Sequence, residues 1–351
     1  MRMREQGFSI IELMVAMAVF VLTIAAASNV FLSVLTQFKQ QSKISESSMD
    51  DMIGLEILQR DIENAGYGLP WIIPVGVAYN ETVIGYDDAP SNPPRGIVSG
   101  NGAGVNGSDY LVIKAVNVVS NNVAQNWTWL QAGPVSLNGL SGQSFDVNDN
   151  VMVISPGTST ADARTLVVNG LAFATTYGAT GSFVPSGLAT NIIYGVDPGN
   201  MRMPFNRADY FISNANVPSR CAPGTGVLVK GEVSQVNGSL TTYPLMDCVA
   251  DMQVVYQTDA NGDMMTDGQT NNMVLLSAQQ IRTTVKEVRV YILAHEGQLD
   301  RNFTYLTNPV TVGEFGLGQS FDFTVIPITN WPNYRWKVYT MVVRLDNLNL
   351  R

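Results

Sequence analysis

The chain has 351 residues, 46% hydrophobic and only 14% charged, with a formal net charge of −9 and a pI near 4.6. So much apolar content with a charged share below the usual value of about 25% excludes a disordered chain. The acidic balance argues against a basic nucleic-acid footprint, so no nucleic-acid partner is expected. At about 150 residues per domain the length suits two units. Asn, Gly, Ser and Thr supply the missing polarity, as in a turn-rich β body outside the cytoplasm.

The informative stretch comes first: MRMREQGFSIIELMVAMAVFVLTIAAASNVFLSVL. Arg2 and Arg4 precede Gly7, and from Phe8 to about Leu35 only Glu12 is charged. An apolar run of about 20 residues can span a bilayer as a helix. The arginines would hold its start on the cytoplasmic side, which places the rest of the chain outside. An ordinary anchor fits this pattern. So does a signal peptide with an MRMR n-region and a small-residue site at Ala25-Ala26-Ala27. Neither accounts for Glu12, because a carboxylate in an apolar helix costs about 2.5–3.5 kcal/mol at the bilayer centre. Near the interface it can snorkel; deeper, it calls for a cationic partner.

A third reading supplies that partner. Gly7-Phe8-Ser9-Ile10-Ile11-Glu12 followed by the apolar run resembles the class III signal of type IV pilins and related pseudopilins. The resemblance implies that a prepilin peptidase cuts between Gly7 and Phe8, and that Phe8 becomes an N-methylated N-terminus. It also implies that Glu12, in the fifth mature position, meets the terminal amine of a neighbouring subunit. An acid in apolar surroundings is stabilised by such a cation, and a pairing with its own amine at i, i+4 is also conceivable.

Residues 1–7 would then be a leader and 8–66 a single helix, with its membrane segment at about 8–35. No proline occurs before Pro70, and Gly54 is the only glycine between Phe8 and Gly66. Phe31, Leu35 and Phe38 continue an apolar face at helical spacing; Met49, Met52, Ile53 and Ile57 resume it, and Leu55, Leu58 and Ile62 widen it. This second stripe is expected to be core. The polar run Lys39–Ser48 should face solvent or other subunits. Gly66, Gly68 and Pro70 end the helix. Residues 58–68, ending Ala65-Gly66-Tyr67-Gly68, resemble the helix end of PilW-type minor pilins. Mechanically they read as a C-cap, with Gly66 left-handed and Tyr67 packing back.

The body, 67–351, carries short apolar runs between turn clusters. Candidate strands are Tyr110–Val119, Val151–Ile154, Thr225–Ser234, Met252–Gln257, Val285–Ala294, Phe321–Ile326 and Tyr334–Leu345. Val288, Val290 and Ile292 alternate with Glu287, Arg289 and Tyr291, as a half-buried strand would. Residues from about 79 to 219 are rich in Asn, Gly, Pro and Ser and read as an elaborated second β lobe. The expected fold is therefore α+β: a long N-terminal helix packed on an antiparallel, pilin-like sheet with a β-rich second lobe.

Candidate chemistry is sparse. Two cysteines, Cys221 and Cys248, suit one structural disulfide outside the cytoplasm, the alternative being two unrelated thiols. With one histidine, His295, they exclude a zinc site of the Cys/His type. Asp259, Asn261 and Asp263, with Asp267 beyond, have the spacing of a calcium loop. The pattern lacks the turn glycine, where Met264 stands, and the bidentate Glu, where Thr270 stands; a metal-free turn is favoured, and no other cofactor is expected. The Gly100–Gly104 cluster lacks the Lys-Ser/Thr of a phosphate loop. His295 reads as a bystander in a loop after a strand. Trp127, Trp129 and Trp331 are either core or adhesive aromatics. No catalytic set stands out, and no enzyme activity is expected.

Residues 248–256, 281–293 and 334–348 also resemble the last strands of PilW-type and secretion-type pseudopilins. The resemblance implies a minor type IV pilus subunit that helps initiate or cap assembly. Its partners would be other minor pilins, the major pilin, the prepilin peptidase and the inner-membrane assembly platform. The precursor would cross the inner membrane once with its body in the periplasm, and then join a pilus at the cell surface. The alternatives are a type II secretion pseudopilin of the J kind, or a secreted adhesin or enzyme behind an ordinary signal peptide.

Overall fold

The computed structural model describes residues 9–82, 85–131, 145–159, 163–187, 189–263 and 265–348. With no proline to interrupt it, one helix, α1 (Ile10–Glu63), runs for 54 residues. Every residue from Ile10 to Lys39 is exposed, and Ser47 is the first to be buried. The helix thus has a free apolar half and a half seated on the body. It ends as expected: Gly66 and Gly68 take φ of +83° and +69°, and the Gly66 N–H donates to Lys114 O at 2.9 Å. A Cβ at neighbouring Gly96 would lie 2.9 Å from Gly66 N, so the chain passes its own helix end too closely for any side chain.

The strands in chain order are β1 (Ile97–Gly100), β2 (Tyr110–Ala115), β3 (Trp127–Gln131), β4 (Asn150–Ser155), β5 (Thr165–Val167), β6 (Thr175–Thr176), β7 (Thr190–Asp197), β8 (Asn206–Ser213), β9 (Gly226–Val233), β10 (Leu240–Thr258), β11 (Gly268–Thr270), β12 (Val285–Glu296), β13 (Val310–Val312), β14 (Gln319–Phe321) and β15 (Arg335–Arg344); a short helix, α2 (Ala278–Thr284), precedes β12. The main sheet is antiparallel in the order β1-β2-β8-β9-β10-β12-β15, with β11 added to β10. A second sheet, β3-β7-β4-β5 with β6 on β4, is drawn from residues 127–197. It is narrower than the 79–219 span expected of a second lobe, because β1, β2 and β8 belong to the main sheet.

The main sheet is buried on both faces along the second half of β12, Tyr291 to His295. Val288, Val290 and Ile292 pair in register with Val343, Met341 and Tyr339, and these face Leu58 and Ile62 of α1. Tyr291, Leu293 and Trp336 point the other way, into a cluster with Phe321, Phe323 and Ile328. The strand expected to be half-buried keeps that pattern at Glu287 and Arg289, which stay partly exposed, and has two dry faces only from Tyr291 to His295. The strand expected at 321–326 stops at Phe321. There the Asp322 carboxylate accepts the Thr324 N–H at 2.8 Å and turns the chain. Trp331 stacks on Phe323 at 4.9 Å and belongs to this core rather than to an adhesive surface.

The packed half of α1 corrects the sequence reading of its stripe. The buried residues are Ser47, Asp51, Gly54, Leu58, Asp61 and Ile62. The expected core residues Met49, Met52 and Ile53 are 66%, 66% and 55% exposed. The reason is the partner surface. A Cβ on Gly54 would lie 2.1 Å from Leu245 O, so only glycine lets α1 meet β10. Asp61 reaches Lys230 at 2.6 Å and also bonds the Tyr210 hydroxyl. Leu58 and Ile62 are buried as the stripe implies, but at Ser47, Asp51, Gly54 and Asp61 close approach and buried pairing chose the face, and hydropathy did not.

Candidate processing and assembly site

The start of α1 holds the expected site. Ser9 is the N-cap, and the Glu12 carboxylate accepts the Ser9 N–H at 3.0 Å, closing a capping box. Glu12 is exposed, within an apolar surface that includes Ile10 and Phe20. In the isolated chain it therefore caps its own helix, and one carboxylate oxygen has no partner among the described residues. Gly7 and Phe8, between which cleavage is expected, lie outside the described residues. The helix is long and apolar enough to cross a membrane, and its most hydrophobic stretch is wholly unburied.

From Phe31 through Phe38 to Met49, Met52, Ile53 and Ile57, the exposed apolar side chains keep helical spacing. Exposed apolar surface of this extent marks a site for another molecule. Beside it, a cleft of about 290 Å³ opens between α1 and β10, lined by Asp51, Gly54, Ile57, Arg220, Leu245 and Asp247. Burial pushes the Asp51 carboxyl up to about 6, against the hydrogen bond it accepts from the Tyr339 hydroxyl at 3.2 Å.

The other expected residues fall elsewhere. Cys221 and Cys248 form a disulfide, Cα to Cα 4.8 Å, across 27 residues of sequence. His295 lies inside β12, buried, rather than in a loop. Its Nε2 accepts the Ala222 N–H at 2.9 Å beside the disulfide, and burial pushes its pKa down to about 3. The two sulfurs and this imidazole lie within 4.8 Å of one another, but the S–S bond leaves no thiolate for a metal. In the candidate calcium loop, Asp259, Asn261, Asp263 and Asp267 accept the N–H groups of Gly262, Asp263, Met265 and Ala260 at 2.6, 2.9, 2.8 and 3.0 Å. These bonds close the turn.

The sequence reading missed the most conspicuous polar feature. Lys114 on β2 and Arg207 on β8 are fully buried, and both reach the carboxylate of Glu81, at 2.7 and 3.0 Å. Lys114 also meets Asp88 at 2.6 Å, Arg207 meets Asp209 at 2.7 Å, and Arg95 meets Asp88 at 2.6 Å. The network seats the segment carrying Glu81, Asp88 and Arg95 on the sheet. Every charge in it has a partner inside the protein, so nothing in it calls for a ligand.

Comparison with known proteins gives two family matches. Residues 2–28 match the prokaryotic N-terminal methylation motif, and residues 209–347 match PilW, type IV pilus-assembly protein W. A search of curated proteins gives no match. Among solved structures, a type IV-like pilin from Thermus thermophilus, TTHA1219, aligns at a TM-score of 0.35 and 10% identity, over 86% of this chain and 97% of that one. The methylation motif opens a helix whose apolar half stands clear of the body, and the region similar to PilW supplies β9 to β15 on which its other half rests; at these two places the chain is similar to the PilW-type pilus-assembly proteins.

Proposed function

We propose that this chain is a minor pilin that helps initiate or cap a type IV pilus, and that it works by assembly rather than catalysis. The observation that carries the reading is the free half of α1, apolar and exposed from Ile10 to Phe38, with the exposed carboxylate of Glu12 near its start, which has no cationic partner among the described residues. Cleavage between Gly7 and Phe8 would place a cationic amine one helical turn from Glu12, and N-methylation would keep it basic. In a bundle of such helices the Glu12 carboxylate meets a neighbour's amine, neutralises it and sets the axial register. The bulk of a body with a second sheet suits an end position better than a repeated lattice site. The partners are then other minor pilins, the major pilin, the prepilin peptidase and the inner-membrane platform. The precursor sits in the inner membrane with its body in the periplasm. The Asp259–Asp267 loop, closed by its own amides, needs no calcium, and a calorimetric titration should show no uptake at millimolar concentration.

N-terminal sequencing of the mature chain tests the processing step. Methyl-Phe8 is the expected result, whereas a chain beginning at Ser28 would end the pilin reading. A Glu12→Ala variant should be inserted and cleaved normally yet cut the number of pili at least about tenfold, the equivalent of one lost buried ion pair. Wild-type piliation in that variant would remove the register role.

A further inference from the structure

Two arginines with no acidic partner among the described residues each lie over the same tryptophan. Trp71 follows the end of α1, Arg164 lies in the turn before β5, and Arg282 is on α2. The Cζ atoms of Arg282 and Arg164 are 4.7 and 5.2 Å from the indole centroid. The Trp71 N–H donates to Arg164 O at 2.9 Å, and Arg164 Nη2 donates to Gly66 O at 3.2 Å, so backbone bonds hold the pair in place. The Nη1 atom of each guanidinium is buried and has no acceptor.

This arrangement is out of keeping with the rest of the chain. Arg95, Lys114 and Arg207 are each buried against carboxylates at 3.0 Å or less, in a protein with 29 acidic residues to 20 basic. No carboxylate among the described residues bridges to Arg164 or Arg282. Burial, with Arg164's charge adding to it, lowers the Arg282 guanidinium to about 10. Two like charges with orphaned donors are costly unless an anion joins them.

We propose that Arg164, Arg282 and Trp71 form a binding site for a tetrahedral oxyanion, a phosphate or sulfate group, either free or borne on a sugar. Two guanidinium forks supply two positive charges and paired donors suited to such a group, and the indole supplies an apolar wall. Because α2 belongs to the main body and Arg164 to the second sheet, the bound anion fastens one to the other.

The test uses the full-length chain in detergent micelles, titrated with inorganic phosphate against sodium chloride of equal ionic strength. Phosphate should quench or shift tryptophan emission saturably and raise the melting temperature, with the emission change lost in Trp71→Phe. Arg164→Gln and Arg282→Gln should each weaken binding about tenfold or more. Without phosphate, Arg282→Gln should melt no lower than the wild type, because it removes repulsion; a purely structural stacking role would lower it. Should either variant misfold, Arg282→Lys keeps the charge, loses the fork, and should still weaken phosphate at least severalfold. Glucose 6-phosphate binding more tightly than inorganic phosphate would assign the group to a sugar, and equal affinity would assign it to the free anion. No saturable change with either ligand, or wild-type affinity in the folded variants, overturns the site.

Discussion

The free half of α1 and the junction of β2 with β8 invert the usual distribution of side chains in opposite ways. On the helix, Ile10, Phe20 and Phe38 are 80%, 64% and 68% exposed. In the sheet, Lys114 and Arg207 are fully enclosed, with Glu81 and Asp209 beside them. Apolar surface left out is surface reserved for another phase or another subunit. Charge taken in costs desolvation, which only close, complementary pairing offsets. The first region defines what the chain joins, and the second defines how one segment of the body is seated.

The largest effect should come from breaking the enclosed network. Lys114→Met leaves Glu81 and Asp88 short of a cation, and removing one partner of a buried pair costs about 3–5 kcal/mol. Urea unfolding of the full chain in detergent, followed by tryptophan emission, should show that loss; a change under 1 kcal/mol would mean that water reaches the network. A smaller loss, about 1–3 kcal/mol, is expected for Gly54→Val, whose side chain meets the Leu245 carbonyl. An unchanged denaturation midpoint there would show that α1 can lift from β10 without penalty.

Protonation sharpens the comparison from the buried side. Burial pushes the Asp251 carboxyl from 3.8 up to about 7, with only Gln253 donating to it from a side chain and Asp109 adding like charge. Between those values the folded chain keeps a proton that the unfolded chain has lost, so stability falls as pH rises toward 7 and flattens beyond it. His295, held neutral, works the opposite way below its ordinary value of 6.5. From about pH 6.5 to 8 Asp251 is the main titrating acid, and the melting temperature should drop by about 1 °C. Asp251→Asn should remove most of that slope; an equal slope in the variant would place the titrating group elsewhere. The smallest effect on folding, within about 0.5 kcal/mol, is expected for Ile53→Ser, since its side chain is exposed. Its effect on piliation should be large, and a variant that is both stable and fully piliated would detach this stripe from assembly.

Legibility followed the range of the interactions involved. Helix length and end could be read from the absence of proline and from Gly66, because each acts within a turn or two, whereas Ser9 as the cap came from the structure. The strand alternation at 285–294 and 335–344 was legible as period, and it holds at 335–344, where Lys337, Thr340, Val342 and Arg344 are exposed; the burial of both faces at 291–295 was not legible, since the cover over the second face comes from residues 310–331. The face of α1 that meets the sheet was not legible. Met49, Met52 and Ile53 are more hydrophobic than Ser47, Asp51 and Gly54, and only the Leu245 carbonyl, Lys230 and Tyr210 reverse that order. β8, reading Asn-Arg-Ala-Asp-Tyr-Phe-Ile-Ser, looks like a polar connection until Glu81 is brought across 126 residues to pair with Arg207.

Local chemistry therefore settled, from the sequence alone, that a greasy rod with one acid near its tip leads into a β-rich body, and that the two cysteines could close a loop. Which side of the rod is covered, which charges are sealed in, and that Arg164 and Arg282 converge on Trp71 were decided only when distant strands were set side by side. Those outcomes depend on steric fit and desolvation between residues far apart in the chain, and no periodicity along the sequence records them.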